Sequence, residues 1–265
     1  MSGSLGVITI GDLGVNGLNT QTSSVSLKSS WLTLANNIMI KESGKLTTRK
    51  GVKQITTALS SGKPIGAVID NEGVVIATSE DKLYVVDLTA PTNSWASSHT
   101  VTGASDDWQL VPFNGKTYAF QAGQIPLEYS GSWAAFTDKP STFTTSDIFN
   151  PSCGIGFYGR LWVGGVNGKE DVLYYSDTLI GTTWSSGAAG AIDMKTVWGN
   201  DEIVAIAAFF GKLAIFGKQN IAIYNNPSDP TTMELDEVIR GVGCIGRDTV
   251  HNVGDDLIYV SRSGL

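Results

Sequence analysis

The sequence predicts an all-β protein of the β-propeller-like class, because one pattern of strands and turns returns five times. Each copy has an apolar strand, a tight turn that contains glycine, a second apolar strand, another turn and a third strand. The first turns align on Gly73, Gly115, Gly159, Gly211 and Asp255, so the period is about 42 to 52 residues. That spacing is typical of one four-stranded propeller blade.

Four complete blades are predicted from the apolar runs and the turn residues between them. Their strands are expected near 65–70, 74–79, 82–88 and 98–102, near 107–113, 116–121, 125–129 and 133–137, near 153–158, 160–166, 171–176 and 190–194, and near 202–209, 212–217, 220–225 and 233–239.

The fifth copy provides only two strands, 248–253 and 256–261, so the last blade is expected to be incomplete. An incomplete sheet leaves hydrogen-bonding groups open at its edge. Three completions are possible: the N-terminal strands 5–10 or 52–57, another chain, or a continuation of this chain in a longer protein.

Residues 1–60 do not fit the repeat and are predicted to form a separate N-terminal arm and hairpin region for assembly, whereas 61–265 form the propeller-like domain. Ser30 is expected to cap a short helix, with a strand as the alternative. The segment 37–41 alternates into a glycine-containing turn and returns through 45–49. This pattern predicts a β-hairpin.

A large apolar residue closes the polar loop that follows the third strand in four copies. We interpret these residues as packed in the seams between adjacent sheets, where a large ring buries much apolar area. An aromatic platform that binds a ligand is the alternative. The four residues are Trp95, Trp133, Trp184 and Met233.

The composition limits the classes of partner. Glycine is abundant, with 31 residues, and only 16% of residues are charged, as expected for many short strands joined by tight turns. The formal net charge of −7 argues against a surface that binds nucleic acid by neutralising phosphates. It is compatible with a protein past which DNA slides.

The two cysteines, Cys153 and Cys244, give neither a disulfide framework nor the spacing of a metal site, and we expect both to be small buried residues at strand starts. Residues 1–15 lack the basic segment of a secretory signal. The most apolar run, 203–210, is too short to span a bilayer, so no membrane span is expected.

The sequence offers no catalytic, cofactor-binding or metal-binding residues that we would assign, and we predict that the protein is not an enzyme. Only His99 and His251 are available for histidine chemistry, and we expect both to be ordinary strand or loop residues. The segment 114–117 imitates the end of a phosphate-binding loop, but Leu110 stands where the upstream glycine is required. It is expected to be a strand turn.

The stretch from Tyr174 to Trp184 resembles a degenerate Asp-box of sialidase-like propellers. Ser176 and Asp177 are adjacent here, whereas one residue separates them in the motif, and Gly181 follows four residues after the aspartate. Glycosidic cleavage would also need a convergent acid and nucleophile. Carboxylates at the blade starts are expected to be solvated; they are Asp106, Asp107, Asp201 and Glu202.

Short segments near both ends carry a more specific signal. They are 17–20, 34–38 and 44–52 at the start, and 203–205, 213–216, 221–224, 241–248 and 257–264 at the end. Together with the repeat between them, they resemble the tail nozzle proteins of short-tailed bacteriophages, also called tail tubular or packaged-DNA stabilisation proteins.

This resemblance implies a structural virion protein that acts without a cofactor or a small-molecule substrate. Such subunits are made in the host cytoplasm and assemble in the viral tail, typically as a homo-hexameric ring below the portal and its adaptor. The ring is a conduit that retains packaged DNA and passes double-stranded DNA transiently and non-specifically during ejection. Members are commonly longer than this chain.

Two other functions stay open. A β-propeller carbohydrate- or receptor-binding module would use the loop tryptophan and tyrosine side chains to stack on sugars. A propeller glycoside hydrolase is motivated only by the degenerate Asp-box.

Overall fold

The computed structural model describes residues 16–23, 25–28, 30–34, 36, 38–40, 46–51, 66–69, 74–79, 81–87, 95–105, 107–254 and 256–264. The chain divides into two compact units, Met1–Gln54 and Ile55–Leu265. The expected strands 5–10 and 52–57 lie outside the described residues.

The first unit contains the predicted hairpin. Strand β1 (Ile38–Ile40) pairs antiparallel with β2 (Leu46–Thr48), with Ile38 opposite Thr48. The hairpin prediction is therefore confirmed, and its turn lies outside the described residues.

The prediction of a short helix after Ser30 is wrong. Residues 30–34 have no helical structure, and Leu32 forms an isolated parallel bridge with Leu18. The backbone N–H of Leu32 donates to the carbonyl of Gly17 at 2.9 Å, and Asn19 donates to the carbonyl of Leu32 at 2.9 Å. Because the segment bonds to residues 16–19, its backbone groups are not available for a helix.

Within the described residues, the second unit contains four four-stranded antiparallel sheets and a two-stranded one. Each strand pairs with the next along the chain, so every sheet is a meander. The sheets are blade 1 with β3 (Gly66–Ile69), β4 (Val74–Ser79), β5 (Lys82–Asp87) and β6 (Trp95–Thr100); blade 2 with β7 (Gln109–Phe113), β8 (Lys116–Phe120), β9 (Leu127–Tyr129) and β10 (Trp133–Ala135); blade 3 with β11 (Cys153–Phe157), β12 (Arg160–Gly164), β13 (Val172–Tyr175) and β14 (Gly190–Asp193); blade 4 with β15 (Ile203–Phe209), β16 (Lys212–Gly217), β17 (Asn220–Asn225) and β18 (Glu234–Arg240); and blade 5 with β19 (His251–Val253) and β20 (Asp256–Ile258).

This arrangement confirms the predicted propeller-like blades. A one-turn helix, α1 (Lys195–Trp198), follows blade 3, and a 3-10 helix, Arg247–Thr249, precedes blade 5. The first strands contact one another in order, β3 with β7, β7 with β11 and β11 with β15. They therefore form the inner layer of the blades, as in a propeller.

The meander gives the propeller two distinct ends. The first strands begin at one end, which we call the entry end, and reach the first turns at the other, which we call the turn end. Residues of the first turns have positive φ, as a type I′ hairpin requires: Asn114 (48°) with Gly115 (73°), Tyr158 (46°) with Gly159 (69°), and Phe210 (48°) with Gly211 (74°).

The seams between blades hold the predicted apolar residues. Trp184 is buried in a cluster that joins Phe120 of blade 2 to Leu161 of blade 3. Trp133 packs with Leu83 of blade 1. Met233 packs with residues of blades 3 and 4. The seam interpretation is confirmed for these three residues, while the side chain of Trp95 lies outside the described part of the chain.

Both cysteines are free and buried. Cys153 begins β11, as predicted, and burial raises the pKa of its thiol to about 12. Cys244 lies instead in the segment before the 3-10 helix, so its predicted position at a strand start is wrong. Its Sγ lies 2.9 Å from the carbonyl oxygen of Gly246, to which the thiol donates. Within the described residues, no helix is both long enough and apolar enough to cross a membrane.

Candidate functional site

The entry end contains a cavity of about 770 Å³. Its wall is built from the starts of the first strands in blades 2 to 4, the ends of their second strands and the 3-10 helix before blade 5. Four carboxylates and two cations contribute to the wall: Asp107, Glu170, Glu202, Asp248, Lys218 and Arg247.

Arg247 joins three blades at this cavity. Its side chain is only 8% exposed. Nη1 donates to the carbonyl of Ser152, ahead of β11, at 2.5 Å. Nη2 donates to the carbonyl of Asp107, ahead of β7, at 2.8 Å, and to the Asp107 carboxylate at 2.6 Å. The guanidinium therefore fixes blade 5 to the starts of blades 2 and 3.

The remaining charged groups of the cavity are also engaged within the protein. Lys218 forms an ion pair with Glu202. Glu170 accepts a hydrogen bond from the backbone of Gly168 at 2.7 Å. These contacts hold turns at the entry end.

The carboxylates at the blade starts, which were expected to be solvated, differ in their exposure to solvent. Asp107 and Glu202 have side chains that are 61% and 52% exposed, as expected. Asp201 is buried, so the prediction is wrong there. Its carboxylate accepts hydrogen bonds from the backbones of Lys218 and Gln219, both at 3.0 Å, because it closes the turn after β16. Asp106 lies outside the described residues.

A cation follows the glycine of each first turn in blades 2, 3 and 4. Lys116 pairs with Glu128 at 2.9 Å, and Lys212 pairs with Asp236 at 2.6 Å. Arg160 is buried, and its Nη1 donates to a backbone carbonyl at 2.8 Å. The sequence analysis did not predict that these cations bind a carboxylate or a backbone carbonyl, although a lysine or arginine follows Gly115, Gly159 and Gly211 in the sequence.

The Asp-box-like loop is held by its own polar residues. Backbone N–H groups of Ala188 and Thr178 donate to the Asp177 carboxylate at 2.9 and 2.8 Å, and they lower the pKa of that carboxyl. The hydroxyl of Ser176 accepts from the backbone of Leu161 at 3.0 Å. Asp177 therefore stabilises a loop, and this geometry does not favour a glycosidase.

Gly181 of this loop lies against the neighbouring blade. A Cβ at this position would stand 2.5 Å from Cζ of Tyr118, a buried ring of blade 2. Only glycine allows that approach. The glycine and Trp184 of the Asp-box-like pattern thus both serve the seam.

Exposed apolar side chains cluster at the turn end. They are Tyr158, Leu179, Ile180 and Phe210, which are 50%, 55%, 48% and 67% exposed and which we name the turn-end surface.

The turns that carry these side chains contact one another. The backbone N–H of Leu179 donates to the carbonyl of Gly159 at 2.7 Å, and Asn114 Nδ2 donates to the carbonyl of Leu179 at 2.7 Å. The hydroxyl of Tyr158 lies 3.2 Å from the position that a Cβ on Gly211 would take. Turns of blades 2, 3 and 4 therefore meet in one surface.

The residues considered for metal or phosphate chemistry lie in ordinary strands and turns. His99 lies in β6 with its ring 6.3 Å from that of Trp133, and His251 lies in β19. Residues 114–115 form the turn from β7 into β8, and 116–117 begin β8, so the predicted strand turn is confirmed. In the part of the chain that the structure describes, no group of three or more His, Cys, Asp and Glu side chains could hold a metal ion.

No family model and no curated protein matches the chain. Solved structures with distant likeness include a chain of the mitotic checkpoint complex, at 9% identity and a TM-score of 0.45 over 69% of this chain and 55% of that one. BBS1N in complex with ARL6DN matches at 12% identity and a TM-score of 0.44, over 78% of this chain and 61% of that one. YjhT matches at 11% identity and a TM-score of 0.46, over 78% of this chain and 74% of that one.

The chain thus spans little more than half the length of the first two of these proteins. Nothing about the activity or partners of this protein follows from likenesses this distant.

Proposed function

We propose that this protein is a non-enzymatic structural subunit of the tail nozzle of a short-tailed bacteriophage. Several copies, six by the resemblance, would form a ring-shaped conduit in the viral tail that retains packaged DNA and passes it during ejection. The partners would be other copies of the chain and neighbouring tail proteins such as the portal adaptor.

The observation that carries this proposal is the use of charge at the entry cavity. Arg247 links blades 2, 3 and 5 through two backbone carbonyls and one carboxylate. Asp201 closes a turn, and Lys218 and Glu202 neutralise each other. Charged groups that are committed to joining blades suit a scaffold, whereas catalysis needs titratable groups directed at a substrate.

The overall charge also suits a conduit. With a formal net charge of −7, the protein repels phosphates and does not neutralise them, so DNA passes without being held.

The mass and symmetry of the purified chain test the proposal. Light scattering followed by particle imaging should show a ring with a central channel. A compact monomer that persists at high concentration would contradict it.

A carbohydrate- or receptor-binding module is the second candidate. The exposed rings of Tyr158 and Phe210 favour it, since aromatic faces stack on sugars. The seam positions of Trp184, which is buried, and Trp133, which is partly buried, weigh against it, because this candidate would use the loop tryptophans to stack on sugars. Binding to defined oligosaccharides that is measured by calorimetry and lost in Tyr158→Ala would support this candidate over the nozzle.

A further inference from the structure

Blade 5 has an open edge. In blades 1 to 4, each second strand pairs with the first strand on one side and with the third strand on the other. In the described part of blade 5, β20 pairs only with β19. The other edge of β20 therefore presents backbone N–H and C=O groups that can pair with a further strand.

Blade 4 is uncovered beside this edge. Along β17, Tyr224 packs in one cluster with Leu173 from the third strand of blade 3. Ile221 and Ile223 alternate with Tyr224 and belong to the cluster shared with blade 5, where no third strand lies against them among the described residues. A cavity of about 160 Å³ borders both isoleucines and Tyr259, which follows β20. Two further strands added to β20 would cover this part of blade 4.

The N-terminal hairpin, formed by β1 and β2, is a two-stranded sheet with an apolar face. Residues that stand opposite each other on paired strands share a face, and so do alternate residues of one strand. Ile38 stands opposite Thr48, and Ile40 stands opposite Leu46, so one face holds three aliphatic residues. In one chain the hairpin and blade 5 form separate two-stranded sheets. Together they contain the four strands of a complete blade.

The two units of the chain carry opposite charge. Residues 1–54 contain six lysine and arginine residues against two aspartate and glutamate residues, so their net charge is +4 and that of 55–265 is −11. Arg49 and Lys50, directly after β2, are exposed, and so is Asp256 at the start of β20. Within the described residues, none of the three takes part in an ion pair. These charges steer the N-terminal unit of one copy towards the propeller-like unit of another.

We propose that the N-terminal hairpin of a second copy completes blade 5, with β2 antiparallel to β20, as neighbouring strands are within every blade. A register with Arg49 opposite Asp256 places Leu46 opposite Tyr259, so the apolar face of the hairpin lies over the cavity beside blade 4. This inference rests on the proposed function as a self-assembling subunit and identifies one of its contacts. Each copy gives its hairpin to one neighbour and its blade edge to another, and a head-to-tail contact of this kind forms a ring when the rotation between copies closes.

Charge reversal on each side tests the contact. Arg49→Glu and Asp256→Arg each replace an attraction with a repulsion, so we expect the self-association constant of each variant, from sedimentation velocity over a concentration series, to fall about five-fold or more. An equal mixture of the two variants should associate more strongly than either alone, because the unaltered hairpin of one then meets the unaltered blade 5 of the other. Lys28→Glu is the matched control, since Lys28 is exposed in the same unit but outside the hairpin, and should associate like the unaltered chain.

Each outcome decides the inference. If both variants associate as strongly as the unaltered chain, or if their mixture associates no better than either alone, the hairpin is not the contact, while the proposed nozzle subunit stands. If Lys28→Glu weakens association as much as Arg49→Glu does, the overall charge of the unit accounts for the effect and the inference is overturned. If the unaltered chain stays monomeric at every concentration, both proposals fail. Association that returns in the mixture, with the control unchanged, supports the inference.

Discussion

Arg247 and Asp107 stand 140 residues apart in the chain, yet Nη2 of the arginine lies 2.6 Å from Oδ1 of the aspartate. The same guanidinium reaches the carbonyl of Ser152 in front of blade 3. A contact between residues this far apart in the sequence cannot form until the blades between them have folded. The pair therefore reports on the assembly of the blades around their common axis and not on any one blade.

Replacing Arg247 should loosen this junction. Arg247→Met keeps most of the side-chain volume but leaves the carbonyls of Ser152 and Asp107 without their donor, so we expect a loss of about 1–3 kcal/mol in the free energy of unfolding. Urea titration followed by tryptophan fluorescence measures it. Asp107→Asn is the control, because it removes only the carboxylate partner of the guanidinium and keeps the hydrogen bonds to both carbonyls, so we expect a smaller loss than for Arg247→Met. Equal stability of Arg247→Met and the unaltered chain would show that the guanidinium does not join the blades.

The seam between blades 2 and 3 depends on Trp184. Its ring lies 4.9 Å from that of Phe149 and 6.2 Å from that of Phe136, in a buried cluster. Trp184→Ala should lower the free energy of unfolding by about 3–5 kcal/mol. Trp184→Phe should lower it much less, because a phenyl ring fills most of the seam. Thermal unfolding of both variants is the measurement, and similar midpoints for the alanine and phenylalanine variants would contradict the seam role.

The blades could be predicted from the sequence because their signals are local. A turn such as Asn114-Gly115 requires positive φ, and the apolar strands on either side alternate with a fixed period, so strand positions follow within about three residues. The seam positions of Trp133, Trp184 and Met233 could also be predicted, since a large apolar side chain in a propeller repeat has few places to be buried.

The roles of Arg247 and Asp201 could not be predicted in the same way. Their partners are set by how separate blades come together, and the pattern around them only indicates polar residues at strand starts. The turn-end surface was visible as Tyr158 and Phe210 beside glycine, but a turn motif predicts backbone conformation and does not show which side chains stay exposed.

Gly181 offers a test of the close approach between the Asp-box-like loop and blade 2. In Gly181→Ala the new Cβ would stand 2.5 Å from the ring of Tyr118, so either the loop or the ring must move. We expect a loss of about 1–3 kcal/mol in the free energy of unfolding, from urea titration. Gly246→Ala is the matched control, because its Cβ would find its nearest neighbour, Cγ2 of Thr249, at 4.0 Å. Equal loss in both variants would mean that the approach at Gly181 does not matter.

The Asp177 carboxylate predicts how the stability of the loop depends on pH. Hydrogen bonds from the backbones of Ala188 and Thr178 lower its pKa below the ordinary value of 3.8. A group whose pKa is lowered in the folded protein stabilises it fully above the ordinary value, and this contribution is lost as the pH falls through the lowered pKa.

The comparison of the unaltered chain with Asp177→Asn isolates this contribution. Thermal unfolding midpoints should differ most at neutral pH, where the charged carboxylate accepts both hydrogen bonds more strongly than an amide oxygen does. The difference should shrink as the pH falls below about 3.8, because the unaltered carboxyl is then protonated and has lost that advantage. A difference for Asp177→Asn that stays constant from neutral to acidic pH would show that the loop does not depend on the charge of Asp177.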